Sequence, residues 1–244
     1  MINQPSDSSV YAMILAAGKG TRMRPLTDDC PKPLLKVAGL PLIEHHLRKL
    51  KRAGVTHVVV NCAYLAEKVE AYIHQRPDDG LDIYCVNEGQ EPLETAGGIV
   101  NALPQLGERP FIVVNGDVWT DFDYRLLVQA AEALIVSDRL GELVLVNNPV
   151  HNPAGDFAVE SSVLRNKSES NDHYTFSGLS VFKPQLFRSL SRDSGALGPM
   201  LRSWANQSLL SASVYPGYWL DVGTPERLIA LEDRIAGSLV NDET

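Results

Sequence analysis

Leu15-Ala16-Ala17-Gly18-Lys19-Gly20-Thr21-Arg22-Met23-Arg24-Pro25, continuing to Pro31-Lys32-Pro33, is a turn of small residues followed by cations, directly after an apolar run that starts at Tyr11. Tyr11 to Ala16 reads as a buried strand. The alanines and glycines after it let the backbone approach a ligand closely and aim its N–H groups at an anion. Arg22, Arg24 and Lys32 add positive charge, and Pro25, Pro31 and Pro33 stiffen the segment into an irregular arm. The guest these features imply is a polyphosphate. Ligands of open α/β sheets sit beyond the carboxyl ends of the strands, and this turn stands in such a place.

Two other phosphate loops do not fit. A Walker-type loop needs a Gly-Lys-Ser/Thr triplet after a four-residue gap, whereas Gly18 and Gly20 are separated only by Lys19 and no lysine stands between Gly20 and Thr21. The dinucleotide fingerprint wants a small residue where Met23 stands, which argues against a nicotinamide enzyme.

Working outward, apolar periodicity alternates between strand and helix. Helices are expected over Pro41–Ala53, Ala66–Ile73 and Gly97–Leu103, and strands over His57–Val60, Leu81–Val86 and Phe111–Val114. Such alternation calls for right-handed βαβ crossovers and a Rossmann-like, mixed but mostly parallel sheet with helices on both faces. Beyond a strand at Leu143–Asn147 the pattern loosens. Asn152–Lys167 reads as an antiparallel excursion with turns at Pro153–Asp156 and at Asn166, and Tyr174–Phe182 as a strand returning to the sheet. Helices are expected at Pro184–Leu190, Leu197–Asn206 and Pro225–Ile235, with strands at Ser211–Tyr215 and Tyr218–Leu220. Residues 1–10 are expected to be poorly ordered. Residues 11–244 read as one domain, with a nucleotide-binding part at about 11–147 and a sugar-binding part at about 148–244.

Composition narrows the function classes. The formal net charge of −8 argues against a nucleic-acid surface. Yet Lys19 to Lys36 holds five Lys or Arg against Asp28 and Asp29, a local patch suited to a small anion. The polar start lacks the order of a signal peptide and no long apolar run follows, so the expectation is a cytoplasmic chain without a membrane span. Cys30, Cys62 and Cys85 suggest ordinary thiols. The six histidines are scattered, apart from adjacent His45 and His46, and read as surface or packing residues.

Asp117 follows an apolar strand and the turn Asn115-Gly116, and Asp221 follows Tyr218-Trp219-Leu220 and precedes Gly223-Thr224-Pro225. Two carboxylates at strand ends beside a polyphosphate suit Mg2+, which takes one or two carboxylates plus phosphate and water oxygens. Either alone also reads as a cap for the next turn. A retaining glycosidase likewise uses two carboxylates, but has no use for a cationic glycine loop.

Gly18-Lys19-Gly20-Thr21-Arg22 with Pro25 and Lys32-Pro33 resembles the signature of the sugar-nucleotide pyrophosphorylases. Asn115-Gly116-Asp117 and Leu220-Asp221-Val222-Gly223-Thr224-Pro225 resemble that superfamily's metal-binding pair. Within it, Glu91-Pro92-Leu93-Glu94-Thr95-Ala96-Gly97-Gly98, Val114 to Asp121, Gly155-Asp156-Phe157 and Thr175-Phe176-Ser177-Gly178 are similar to the short bacterial branch that uses an N-acetylmuramate 1-phosphate. The resemblance implies transfer of UMP from UTP to a sugar 1-phosphate in peptidoglycan recycling. Asp117 and Asp221 would hold the metal, Arg22 would neutralise departing pyrophosphate, and Lys32 would hold the phosphates. It places nucleotide over Ala17, Gly18, Gly20 and Thr21, with Glu94 and Thr95 near the base and Asn115 near the ribose. Sugar recognition falls to Asp156, Asn166, Ser177 and Gly178. Ser177-Gly178 also reads as a strand bulge, Asp156 as a turn former and Glu94 as a helix-start carboxylate. The superfamily's Glu-Lys-Pro motif is replaced by Arg165-Asn166-Lys167-Ser168, where Lys167 reads equally as a sugar-phosphate ligand or a solvated turn lysine. Alternatives are glucose 1-phosphate with dTTP or UTP, mannose 1-phosphate with GTP, or a non-catalytic sugar-nucleotide sensor. The implied partners are small molecules, and the chain is expected to be a monomer or small homo-oligomer.

Overall fold

The computed structural model describes residues 9–169 and 172–241. Of the start expected to be poorly ordered, 1–8 lie outside the described residues, and Val10 is buried in the core. In chain order the strands and helices begin with β1 (Tyr11–Leu15), β2 (Lys36–Val37), β3 (Leu40–Pro41), α1 (Leu42–Arg52), β4 (His57–Cys62), α2 (Ala66–Gln75) and β5 (Asp82–Asn87). There follow α3 (Thr95–Leu106), β6 (Phe111–Asn115), β7 (Val118–Thr120), α4 (Arg125–Ile135), β8 (Gly141–Val146), β9 (Phe157–Glu160) and β10 (Val163–Asn166). The chain closes with β11 (Thr175–Phe182), α5 (Leu197–Asn206), β12 (Leu210–Tyr215), β13 (Trp219–Asp221) and α6 (Pro225–Asn241).

Nine strands form one sheet in the order β5-β4-β1-β6-β11-β8-β12-β10-β9. β5, β4, β1 and β6 are parallel. β11 enters antiparallel between β6 and β8, and β12 lies parallel to β8. The sheet is therefore mixed but mostly parallel. Side chains alternate across it, as the pleat requires. Ala12, Ile14, Val58, Val60, Ile112 and Val114 face Ile43, Leu47, Leu50, Val69, Leu127 and Leu134 of α1, α2 and α4. Met13, Val59, Phe111 and Val113 face Ala96, Ile99, Leu201 and Trp204 of α3 and α5. Helices thus cover both faces.

Two local expectations are corrected, and one helix was not expected. The hairpin of β9 and β10 turns at Ser161-Ser162, both at positive φ, so Asn166 ends a strand instead of forming a turn. Pro184–Leu190 contracts to a 3-10 turn at Pro184–Phe187. Helix α4 had no counterpart in the sequence reading. A separate two-strand ribbon, β13 on β7, sets Asp221 opposite Val118.

Candidate active site

Parallel register aligns Leu15, Asn61 and Asn115 in one row across the carboxyl ends of β1, β4 and β6. Just beyond it, Gly116 N–H donates to Leu15 O at 2.9 Å. A Cβ on Gly116 would lie 2.8 Å from that oxygen, so glycine lets the two loops close together.

Two cavities open along this row. The first, of about 310 Å³, is lined by Ala16, Ala17, Gly18, Lys32, Asn61, Leu93, Glu94, Thr95, Asn115 and Asp117. The second, of about 280 Å³, is lined by Arg22, Asn115, Asp117, His151, Asn152, Thr175, Ser177, Gly178, Trp219 and Asp221. Asn115 and Asp117 belong to both. A ligand filling one cavity therefore meets a ligand filling the other at Asp117.

The cationic arm folds over this junction. Gly20, at φ +61°, sits tight against Thr27 and Lys32, and Thr27 Oγ1 donates to Gly20 O at 2.8 Å. Thr21 opens the exposed 3-10 turn Thr21–Met23, which Met23 anchors in the core. Neither Gly20 nor Thr21 lines a cavity; they aim the arm. Lys32 is buried to 9 % exposure, and its Nζ lies 2.7 Å from Asp117 Oδ2. Arg227 Nη1 lies 2.8 Å from Asp221 Oδ2 and His151 Nε2 3.8 Å from it. Arg22 is exposed and lines the second cavity.

Val222 N–H donates to Asp117 O at 2.8 Å, tying the two aspartate-bearing loops together. Among the described residues no cluster of three or more His, Cys, Asp or Glu could hold a metal alone. Two carboxylates facing one cavity nevertheless fit a hard cation whose other ligands are phosphate and water oxygens.

Burial, with Arg227 and Arg22 adding to it, holds the His151 imidazole below its ordinary value against the pull of Asp221. Behind the first cavity, burial pushes the Glu88 carboxyl up, opposed by hydrogen bonds from Asn61 and Leu93.

A family model for nucleotidyl transferases matches residues 11–237. The chain belongs to the nucleotidyltransferase family. It is 47 % identical over 219 residues to the N-acetylmuramate alpha-1-phosphate uridylyltransferase of Neisseria meningitidis serogroup B, covering 89 % of this chain and 94 % of that one. It is 34 % identical to the protein of the same name from Caulobacter vibrioides, covering 95 % and 99 % of the two chains. A solved structure of HddC from Yersinia pseudotuberculosis complexed with GMP-PN shares the fold, with a TM-score of 0.73 and 21 % identity over 93 % of this chain and 99 % of that one.

Within this nucleotidyltransferase most residues singled out in the sequence meet at the two cavities. Asn166 does not. Its Nδ2 donates to Arg202 O at 2.9 Å and Asn206 Oδ1 at 2.7 Å, pinning β10 to α5. Asp156 lines neither cavity; it accepts from Asn152 Nδ2 at 3.1 Å and Phe176 N at 2.9 Å, bracing two segments of the second cavity's wall. Ser177 and Gly178 form a bulge against β8. The Ser177 hydroxyl is spent on Val144 O at 2.7 Å, while Gly178, at φ +78°, lets Asn115 pass against it. Lys167 Nζ donates to Gly155 O at 2.8 Å, on the turn beside the second cavity.

Four site residues carried no expectation of this kind. His151, read as a packing or surface histidine, lines the second cavity beside Asp221, brought there by a loop of no periodicity. Arg227 follows Pro225 on the first turn of α6, within reach of Asp221. Asn61 ends the run Val58–Val60 as Asn115 ends Phe111–Val114, a parallel that could have flagged it. Glu88 follows the last residue of β5, two positions beyond the row that holds Asn61.

Proposed function

We propose that the chain transfers UMP from UTP to N-acetylmuramic acid α-1-phosphate, releasing pyrophosphate and UDP-N-acetylmuramate, within cytoplasmic peptidoglycan recycling. The observation carrying this reading is the pair of cavities sharing Asn115 and Asp117, one for a nucleotide and one for a sugar phosphate. The substrate names come from the Neisseria and Caulobacter relatives, which match along almost their whole lengths.

An oxygen of the sugar phosphate attacks the α-phosphorus of UTP in line, and the bond from that phosphorus to the oxygen bridging to the β-phosphate breaks. A phosphate monoester is already anionic near neutral pH, so no general base is needed, and the protein contributes positioning and charge neutralisation. Ala17 and Gly18 line the nucleotide's path with backbone, and Glu94 and Thr95 flank the base. Lys32 holds phosphate oxygens, Arg22 neutralises the leaving pyrophosphate, and Asn115 orients the ribose where the two ligands meet. Asp117 and Asp221 would hold magnesium, which when bound supplies electrophilic stabilisation of charge on the transferring phosphate.

The test is pyrophosphate release with magnesium and UTP, dTTP or GTP, across N-acetylmuramate, N-acetylglucosamine, glucose and mannose 1-phosphates. The reading predicts kcat/KM for UTP with the muramate about tenfold or more above every other pair, the discrimination polar contacts in a site provide. Preference for another pair would replace the substrate, and no turnover with any pair would leave a sugar-nucleotide sensor.

A further inference from the structure

At the back wall of the first cavity lies a buried polar pair that the mechanism does not use, Asn61 lining the cavity and Glu88 standing behind it. Asn61 is 3 % exposed and Glu88 9 %. Asn61 Oδ1 accepts from Ala16 N–H at 2.8 Å, Asn61 Nδ2 donates to Glu88 Oε1 at 2.8 Å, and Glu88 Oε2 accepts from Leu93 N–H at 2.8 Å. Ala16 and Leu93 both line the cavity, one after β1 and the other ahead of α3. The chain of bonds thus spans the strand ends and ties two walls together.

Its polarity is fully determined. Both ends are backbone N–H groups, which can only donate. Asn61 must turn its oxygen to Ala16 and so its NH2 to position 88. Position 88 must then accept on two separate atoms, which a carboxylate does and an amide does not. Gly98 leaves the room: a Cβ there would lie 2.8 Å from Glu88 Oε1 and 3.0 Å from Asn61 Nδ2.

We propose that Asn61 and Glu88 are positioning residues for nucleotide binding, a one-way hydrogen-bond relay that sets the spacing of the Ala16 and Leu93 walls. The proposal rests on the reading of this cavity as the nucleotide pocket.

A double-mutant cycle tests it by UTP titration calorimetry and by steady-state KM values for UTP and the sugar phosphate. Glu88→Gln sets its NH2 against either the Asn61 NH2 or the Leu93 N–H, donor to donor, and Asn61→Asp sets two carboxylates together. Each single variant is expected to weaken UTP binding about tenfold or more, the scale of a lost buried bond to a charged group. KM for the sugar phosphate should stay within about twofold, because the second cavity does not share these walls. Combining Asn61→Asp with Glu88→Gln restores every bond, since the new carboxylate accepts from Ala16 and from the new amide, whose oxygen accepts from Leu93. The double variant is expected to bind UTP within about threefold of the wild type. A double variant as weak as the singles, or a parallel rise in sugar-phosphate KM, overturns the relay. If a single variant does not fold, the double variant alone decides, because only the relay predicts that it folds and binds. Failure of the nucleotide reading shows separately, as wild-type protein that binds none of UTP, dTTP, CTP, GTP or ATP.

Discussion

At Gly178 the chain turns through φ +78°, and a side chain there would bring Cβ to 2.7 Å from Asn115 Nδ2 and 2.8 Å from Asn115 Cγ. Gly178→Ala should therefore lower stability by about 1–3 kcal/mol, the cost of a strained backbone position. It should also raise KM for both substrates by displacing Asn115; urea unfolding and initial rates check this. Arg22 is the opposite case, exposed and not part of the core. Arg22→Ala should leave unfolding within about 0.5 kcal/mol of wild type. Its kcat/KM should fall on the order of a hundredfold, the effect of removing one charge-stabilising group from a transition state. Single residues were legible where local spacing carries the chemistry: the glycines before Arg22, and Asn115-Gly116-Asp117 after an apolar run. Asn166 Nδ2 bonds to α5 and the Ser177 hydroxyl to β8, partners that spacing along the chain does not show.

The ribbon of β7 and β13 is the element that brings Asp117 and Asp221 together. Thr120 fastens it from a buried position: Oγ1 donates to Tyr218 O at 2.8 Å and accepts from Phe122 N–H at 3.1 Å. Thr120→Val keeps the shape, leaves Phe122 N–H without its acceptor and removes one of two donors to Tyr218 O, which keeps Asp121 N–H at 3.2 Å, so stability should fall by about 1–3 kcal/mol. The ribbon should loosen with it, and turnover should drop more than UTP affinity does, a split that pre-steady-state kinetics resolves. Pairing of β7 with β13 joins residues about a hundred positions apart, a link set by tertiary closure that periodicity does not reveal. Helix α4 was missed for another reason. Leu127, Ala131 and Leu134 keep helical spacing, but Leu126, Ile135 and Val136 are exposed and blur its apolar face. The parallel core was legible because its strands and helices differ in period, and both faces are buried.

Across the whole molecule the helix layers seal α1 onto the sheet, enclosing His46. Burial, with Lys49 and His45 adding to it, pushes the His46 imidazole down to about 3 from an ordinary 6.5, and its Nδ1 lies 2.7 Å from Tyr124 OH. Below pH 6.5 the unfolded chain takes up a proton that the folded chain refuses, so stability falls as pH drops and the loss ends near pH 3. Between pH 7.5 and 5 the wild type should lose about 2 kcal/mol more than His46→Gln, measured by urea unfolding at each pH. The same packing holds the strand ends in the register that joins the two cavities. The central claim is that sugar-phosphate nucleotidyl transfer occurs where they join, at Asp117, with Asp221 facing it across the second cavity. The direct measurement is pyrophosphate release from UTP and N-acetylmuramate α-1-phosphate by wild type, Asp117→Asn and Asp221→Asn, all confirmed folded. The account predicts UDP-sugar and pyrophosphate in equal amounts from the wild type, and rates lower by on the order of a hundredfold or more in both variants. Wild-type turnover that survives in either variant would contradict it.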